Sequence, residues 1–246
     1  MVSGLGATET APSALGATKA LARPGMLGLP IPGSTMKLVP AAGKLEIRIK
    51  GPNVMPGYWR DAAQTAKSFD EEGFYKLGDA VKFVEDGNPN AGFLFDGRMA
   101  EDFKLMTGTW VSVGPMRARI VTAFAPLVKD AVIAGHDRDY VTAMLLPEMA
   151  ACRALVPDGD WLSDAEILAR PELRAACVER LAALSAESTG SSNRVDRILL
   201  LAEPPSIDAN EITDKGSINQ RAVLARRTHL VEALYAAIPP ADVITL

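Results

Sequence analysis

The stretch DGRMAEDFK, Asp96–Lys104, divides this chain into two halves of different character. Upstream, glycines and prolines punctuate short runs with a two-residue period, the mark of strands with one buried face. The clearest is GKLEIRIKG, Gly43–Gly51, where Leu45, Ile47 and Ile49 alternate with Glu46, Arg48 and Lys50, which predicts one apolar and one wet face. Turns flank it at Pro40–Gly43 and Gly51–Pro52. Downstream, strand-like pieces at Trp110–Val113, Asp130–Ala134 and Val141–Leu146 alternate with helical ones. The expected fold class is α+β, a β-rich part over residues 1–98 followed by a small α+β part over 99–246, with the boundary close to Arg98.

Local signals fill in the elements. Asp61, with Gln64 three residues on, predicts a capped helix over 61–69. Glu71-Glu72-Gly73 turns the chain into FYKLGDAVKFV, Phe74–Val84, a strand, and a loop at Asp86–Asn90 leads to another at Gly92–Phe95. A helix is expected over Pro115–Phe124, and Ser163 with Glu166 forms a capping box for the next. Pro171 opens the clearest helix, Pro171–Ser185, whose apolar stripe is Leu173, Ala176, Cys177, Val178, Leu181 and Leu184. A strand at Arg197–Leu201, a polar turn around Lys215 and a last helix over Ile218–Leu234 complete the pattern.

The totals exclude several classes. With 246 residues, 48% of them hydrophobic, the chain can bury a substantial core, and a net charge of -4 argues against a nucleic-acid surface. Cys152 and Cys177 are too few for a disulfide framework and read as reduced thiols of a cytoplasmic protein. No apolar run is long enough for a membrane span, and no signal-peptide pattern opens the chain. His136 and His229 lack ligand-spaced partners, against a zinc site or a histidine-based triad. GLPIPGST, Gly28–Thr35, has the glycine spacing of a phosphate loop but lacks its lysine, holds two prolines and precedes no helix, so it reads as a β-turn connection. Tyr58, Trp59 and Trp110 read as core or interface aromatics.

Four segments carry chemistry. GATET, Gly6–Thr10, joins a flexible glycine to Thr8, a donor for a phosphate oxygen, and Glu9, a hard ligand for Mg2+; a helix cap or turn is the plainer alternative. GDAV, Gly78–Val81, sets Asp79 beside a glycine at a strand end, where a carboxylate can accept both hydroxyls of a ribose or simply mark a turn. In DGR, Arg98 can fork onto ribose or phosphate oxygens, or pair with Asp96 or Glu101 at the surface. DANEITDKGSINQRAVL, Asp208–Leu224, holds Lys215 beside Gly216 in a polar turn, either as a delivered cation or as solvated surface.

These pieces, in this order, resemble the acyl-adenylate-forming superfamily of acyl-CoA synthetases, adenylation domains and luciferases. The matching segments are GATET, LEIRIKGPNVMPGYW (Leu45–Trp59), FYKLGDAV (Phe74–Val81), DGR, TGTWVSVGPMR (Thr107–Arg117) and the lysine turn. The wording GRMAEDFKLMTGTWVSVGPMR with EITDKGSINQRAVL looks most like the feruloyl-CoA synthase branch. The resemblance implies the β-rich last subdomain of an adenylating large domain, then a small mobile α+β C-terminal domain. It implies ATP, Mg2+, CoA and a ferulate-like aromatic carboxylate as ligands. Thr8 would contact the α-phosphate, Glu9 would hold Mg2+, and Asp79 and Arg98 would bind the ribose. Met99–Asp102 would contain the hinge, Gly108 would line the pantetheine tunnel, and Lys215 would reach the carboxylate and phosphate oxygens.

Three departures stand against the pattern. The loop after Arg98 is one residue longer than usual. The catalytic lysine of most relatives follows the glycine of the final turn, where this chain has Ser217, so the role transfers to Lys215. Relatives also carry an upstream phosphate loop for which Met1–Gly6 leaves no room. The expectation is therefore the C-terminal portion of a CoA ligase, inactive in adenylation by itself and completed by an N-terminal half. The alternatives are a non-catalytic remnant or interaction module, and an enzyme that loads a carrier protein.

Overall fold

The computed structural model describes residues 3–17 and 25–246; those parts of the expected N-terminal β-rich stretch at 1–2 and 18–24 lie outside them. The chain forms two compact units, Met1–Ala100 and Glu101–Leu246, divided between Ala100 and Glu101.

Within the first unit the strands are β1 (Gly4–Leu5), β2 (Leu15–Gly16), β3 (Met26–Pro30), β4 (Thr35–Ala41), β5 (Lys44–Lys50), β6 (Tyr75–Phe83) and β7 (Phe93–Arg98), with α1 (Ala62–Ser68) between β5 and β6. Among the described residues they make one antiparallel sheet in the order β1-β2-β3-β7-β6-β5-β4. The cap of α1 is the expected one, with the Gln64 amide donating to Asp61 Oδ1 at 2.8 Å. Gly28–Thr35 closes β3 and turns into β4, as a connection should.

The alternation of β5 has the expected consequence on one face only. Ile47 and Ile49 are fully buried in the core with Leu15, Val81 and Phe93. The opposite face is wet at Lys50 but not at Glu46 and Arg48, whose side chains are only 12% and 18% exposed. Arg48 bonds Glu46 at 2.6 Å and Asp70 at 3.1 Å, and Lys37 bonds Asp70 at 2.8 Å. The Lys37 ammonium is the main reason the Asp70 carboxyl lies well below its ordinary range. A polar strand face thus becomes half-buried once its charges find partners on neighbouring segments.

The second unit contains β8 (Phe103–Lys104), β9 (Trp110–Val111), α2 (Val113–Phe124), β10 (Val128–Ala134), β11 (Val141–Pro147), α3 (Met149–Leu155), α4 (Asp164–Leu168), α5 (Pro171–Ala186), β12 (Val195–Leu200), α6 (Gln220–Arg226), α7 (Thr228–Tyr235) and β13 (Ile244–Thr245). Its main sheet runs β10-β11-β12-β13, parallel between β11 and β12 and antiparallel elsewhere. Helices cover both faces. Ala131, Ile133, Ala143 and Leu145 pack with Met116, Cys152, Ile167 and Leu181 on one side, while Val132, Met144 and Leu146 pack with Val223 and Leu234 on the other. This explains why these strands read as nearly continuous apolar runs.

Three expectations shift. The strand over Trp110–Val113 ends at Val111, and α2 opens at Val113 because Asp102 Oδ1 accepts the Val113 amide at 2.9 Å, which satisfies an orphan donor of the first turn. On α5, Leu173, Cys177, Leu181 and Leu184 are buried, but Val178 is 37% exposed; one residue past Cys177 turns it about 100° off the buried stripe. The single last helix is two, α6 and α7, separated at Arg227, whose side chain turns inward.

Leu181→Ala is expected to lower the urea-unfolding free energy by about 2–5 kcal/mol through the cavity it leaves, whereas Val178→Ala should stay within about 0.5 kcal/mol. Equal losses in the two variants would show that the stripe is misassigned.

Candidate functional site

In the first unit, residues 6–10 form a tight loop rather than a flexible one. A Cβ on Gly6 would lie 1.6 Å from the Pro12 carbonyl oxygen, so glycine is required by close approach. Thr10, fully buried, closes the loop, accepting the Ala7 amide at 2.9 Å and donating to the Ala7 carbonyl at 3.0 Å. Thr8 is exposed on the short helical turn Thr8–Thr10, and Glu9 is half-buried beside it.

The Glu9 carboxylate is oriented from outside the loop: the Tyr58 hydroxyl donates to its Oε1 at 3.0 Å. Tyr75, on β6, lies within the same group. Burial pushes its hydroxyl up, and a hydrogen bond with Tyr58 and the negative charges of Glu9 and Asp79 push it further. The sequence does not signal a role for Tyr58 or Tyr75 beside Glu9, because a tyrosine next to another aromatic reads only as packing.

Asp79 and Arg98 are register partners across β6 and β7. The Arg98 Nε lies 3.9 Å from Asp79 Oδ1, with the arginine side chain 63% exposed and the aspartate 15%. The ladder is irregular between Asp79 and Val81, and Gly78 sits at φ +79°, a left-handed conformation that favours glycine. The Met99 amide donates back to the Gly78 carbonyl at 2.9 Å, which fixes the exit from β7.

Two hairpin tips of the second unit share one geometry. In Leu105–Thr109 the Leu105 amide donates to Thr109 O at 2.9 Å and the Gly108 amide to Leu105 O at 2.8 Å. In Thr213–Ser217 the Thr213 amide donates to Ser217 O at 2.8 Å and the Gly216 amide to Thr213 O at 2.9 Å. Gly108 at φ +82° and Gly216 at φ +78° take the same left-handed place, the position a three-residue hairpin loop gives to glycine. Lys215 is exposed at the tip. Ser217 is exposed as well, and its hydroxyl is within 2.8 Å of Thr213 Oγ1 across the turn.

The foot of the lysine hairpin is held by Glu211, which is fully buried. Arg227 donates to its two oxygens at 2.7 and 3.0 Å, Arg226 to Oε2 at 2.9 Å, and the Ser206 amide to Oε2 at 2.9 Å. Hydrogen bonding from Arg227 outweighs desolvation and brings the Glu211 carboxyl down to about 2. Nothing in the residue string signals this, since a glutamate in a polar turn reads as surface.

Residues 102–239 match the model of the AMP-binding enzyme C-terminal domain, and the chain belongs to that family. It is 32% identical over 155 residues to the 3-hydroxybenzoate–CoA ligase of Aromatoleum sp., covering 59% of this chain and 28% of the relative. It is 24% identical over 247 residues to the long-chain-fatty-acid–[acyl-carrier-protein] ligase AEE15 of Arabidopsis thaliana, covering 95% of this chain and 32% of that one. The solved adenylation domain of carboxylic acid reductase from Segniliparus rugosus, in complex with AMP and a co-purified carboxylic acid, superposes with a TM-score of 0.72 at 25% identity, over 95% of this chain and 35% of that one. The chain thus spans about a third or less of the length of these relatives. Its fold and kinship are those of adenylate-forming acyl-CoA ligases and adenylation domains. Among the described residues no helix is long and apolar enough to cross a membrane.

Because the folded Glu211 carboxyl lies at about 2, below its ordinary 4.5, its pairing stabilises the fold above about pH 4.5 and is lost as pH falls toward 2. Carbon-detected NMR should find Glu211 still ionised at about pH 3.5, where solvent-exposed glutamates are mostly protonated. Titration near the ordinary glutamate value would contradict the buried pair.

Proposed function

We propose that this chain is the C-terminal part of an AMP-forming acid–thiol ligase that acts on an aromatic, ferulate-like carboxylate with ATP, Mg2+ and CoA. The observation that carries the reading is the pairing of Asp79 with Arg98 across β6 and β7, a carboxylate that lies within β6, not at a strand end as the sequence suggests, opposite a guanidinium on the last residue of β7. The aromatic choice is supported by the likeness of the Gly97–Arg117 and Glu211–Leu224 wording to feruloyl-CoA synthases and by the aryl-CoA ligase among the relatives.

In this reading Asp79 accepts the ribose hydroxyls and Arg98 donates to ribose or phosphate oxygens. The Thr8 hydroxyl donates to the α-phosphate. Glu9 fits Mg2+ as a single carboxylate ligand: the ion is commonly held by one or two carboxylates with phosphate oxygens and water, and among the described residues no group of three or more His, Cys, Asp or Glu could hold a metal by itself. Magnesium supplies neutralisation of the phosphate oxygens. The Tyr58 bond leaves Glu9 aimed in one direction.

The substrate carboxylate attacks the α-phosphorus, pyrophosphate leaves, and Lys215 offsets the negative charge that builds on the oxygens. A turn within Met99–Asp102 then lets the second unit exchange the Lys215 hairpin for the Gly108 hairpin. The CoA thiol attacks the acyl carbon beside Gly108 and AMP leaves. Such gating runs two half-reactions in one site. A second reading, transfer to a phosphopantetheinyl carrier protein, is favoured by the AEE15 ligase, which aligns with nearly the whole chain. The appearance of the acyl group on free CoA or on a carrier separates the two.

The nucleotide half is tested by calorimetric titration of the chain with AMP. Asp79→Asn should weaken binding about tenfold, the order expected for loss of a charge-assisted hydrogen bond of roughly 1.5 kcal/mol. Failure of the parent chain to bind AMP would sink the nucleotide assignment. Pyrophosphate release with ferulate, ATP and Mg2+, measured on the chain supplemented with an N-terminal half that carries the phosphate loop, tests the lysine: Lys215→Ala should lose on the order of 10²–10³ of the parent rate, the cost of removing one transition-state donor. Adding Ser217→Lys to that variant should restore part of it.

A further inference from the structure

We infer that Glu211 is a positioning residue for Lys215: its buried carboxylate locks the hairpin that carries the lysine, so the ammonium travels with the second unit as a fixed projection. The assignment of a role to Lys215 rests on the proposed function, but the lock itself stands on geometry.

The hairpin is tied at each level. At its tip, Thr213 and Ser217 share a backbone bond of 2.8 Å and a hydroxyl contact of 2.8 Å. One step down, Ile212 and Ile218 face each other as an antiparallel bridge, and Ile218 is buried in the core beside Val223 and Leu234. At the foot, the Asn219 amide donates to the Glu211 carbonyl at 2.9 Å. Next to it, Gln220 Oε1 accepts the Ile133 amide of β10 at 3.0 Å, and the Gln220 side chain is buried. One leg of the hairpin is thereby fastened to the central sheet.

The other leg is held by a backbone bond from the Glu211 amide to the Ser206 carbonyl at 3.0 Å and by Ile212 packed on the core, and the Glu211 side chain ties it to Arg226 and Arg227. The Glu211 carboxylate is enclosed by Arg227, Arg226 and the Ser206 amide, and Arg227 also donates to the carbonyls of Glu203 and Pro204 at 2.6 and 3.1 Å. The guanidinium therefore gathers the incoming segment, the hairpin foot and the start of α7 around one point. A neutral residue at 211 would leave a buried guanidinium without its counter-charge, and the incoming leg would be the part free to relax. Arg–carboxylate forks also fix orientation, which a single-point charge does not.

The structure contains an internal control. The Gly108 hairpin has the same closing bonds, but its neighbouring tie is a backbone bond from the Met106 amide to the Arg138 carbonyl at 3.0 Å, and among the described residues no buried carboxylate stands beside it. Amide hydrogen exchange on the full chain compares the two. In Glu211→Gln, the amides of Thr213, Gly216 and Asn219 should exchange at least tenfold faster, while those of Leu105 and Gly108 keep the parent rate. Arg227→Lys, which keeps the charge but loses the fork, should give a smaller acceleration at the same amides. It also serves as the test if Glu211→Gln does not fold. Glu211→Asp, which keeps the charge, should recover part of the protection. Unchanged exchange at Thr213 and Gly216 in a folded Glu211→Gln or Arg227→Lys variant overturns the proposal, as does equal acceleration in both hairpins. A Lys215→Ala variant of parental activity would instead remove the role given to the lysine, without touching the exchange result.

Discussion

The Glu211 carboxylate has no access to solvent, and it stays ionised only because two guanidinium groups and an amide surround it. That requirement shapes everything near it. Arg227 points inward at the place where the last helix divides into α6 and α7. The carbonyls of Glu203 and Pro204 are drawn to the same guanidinium, which anchors an otherwise irregular segment. The hairpin of Lys215 then rises from this anchored foot.

The first unit solves a similar problem by register. Strand pairing puts Asp79 opposite Arg98, and a left-handed Gly78 with a local irregularity in the ladder reshapes the strand at that point. Lys37, Glu46, Arg48 and Asp70 do the same for the polar side of β5, where mutual pairing replaces water. Glu211 and Asp70 are held by side chains from other segments, while Glu46 and Arg48 also pair within β5.

The two glycine hairpins show how one backbone device serves two unlike segments. Gly108 and Gly216 accept a left-handed φ that a side chain would oppose, and each lets three residues close a hairpin. The exposed residue before Gly216 is a lysine, and the residue before Gly108 is Thr107, whose hydroxyl bonds Thr109. Turn geometry is common to both; what the tip offers differs only through its side chains.

The sequence by itself determined the local structure: the period-two run of Leu45, Ile47 and Ile49, the caps at Asp61 and Ser163, Pro171 at the start of α5, and the glycines of the turns. Each depends on side chains within a few residues of one another, so spacing alone reveals it. Only the tertiary structure decided the rest. It covered Glu46 and Arg48, turned Val178 outward, broke the last helix at Arg227, set Tyr58 on Glu9 and buried Glu211. The reason is that a charge is stable inside a protein only with a partner, and partners such as Asp70 for Arg48 and Arg227 for Glu211 come from other segments, where no periodicity records which residues will meet.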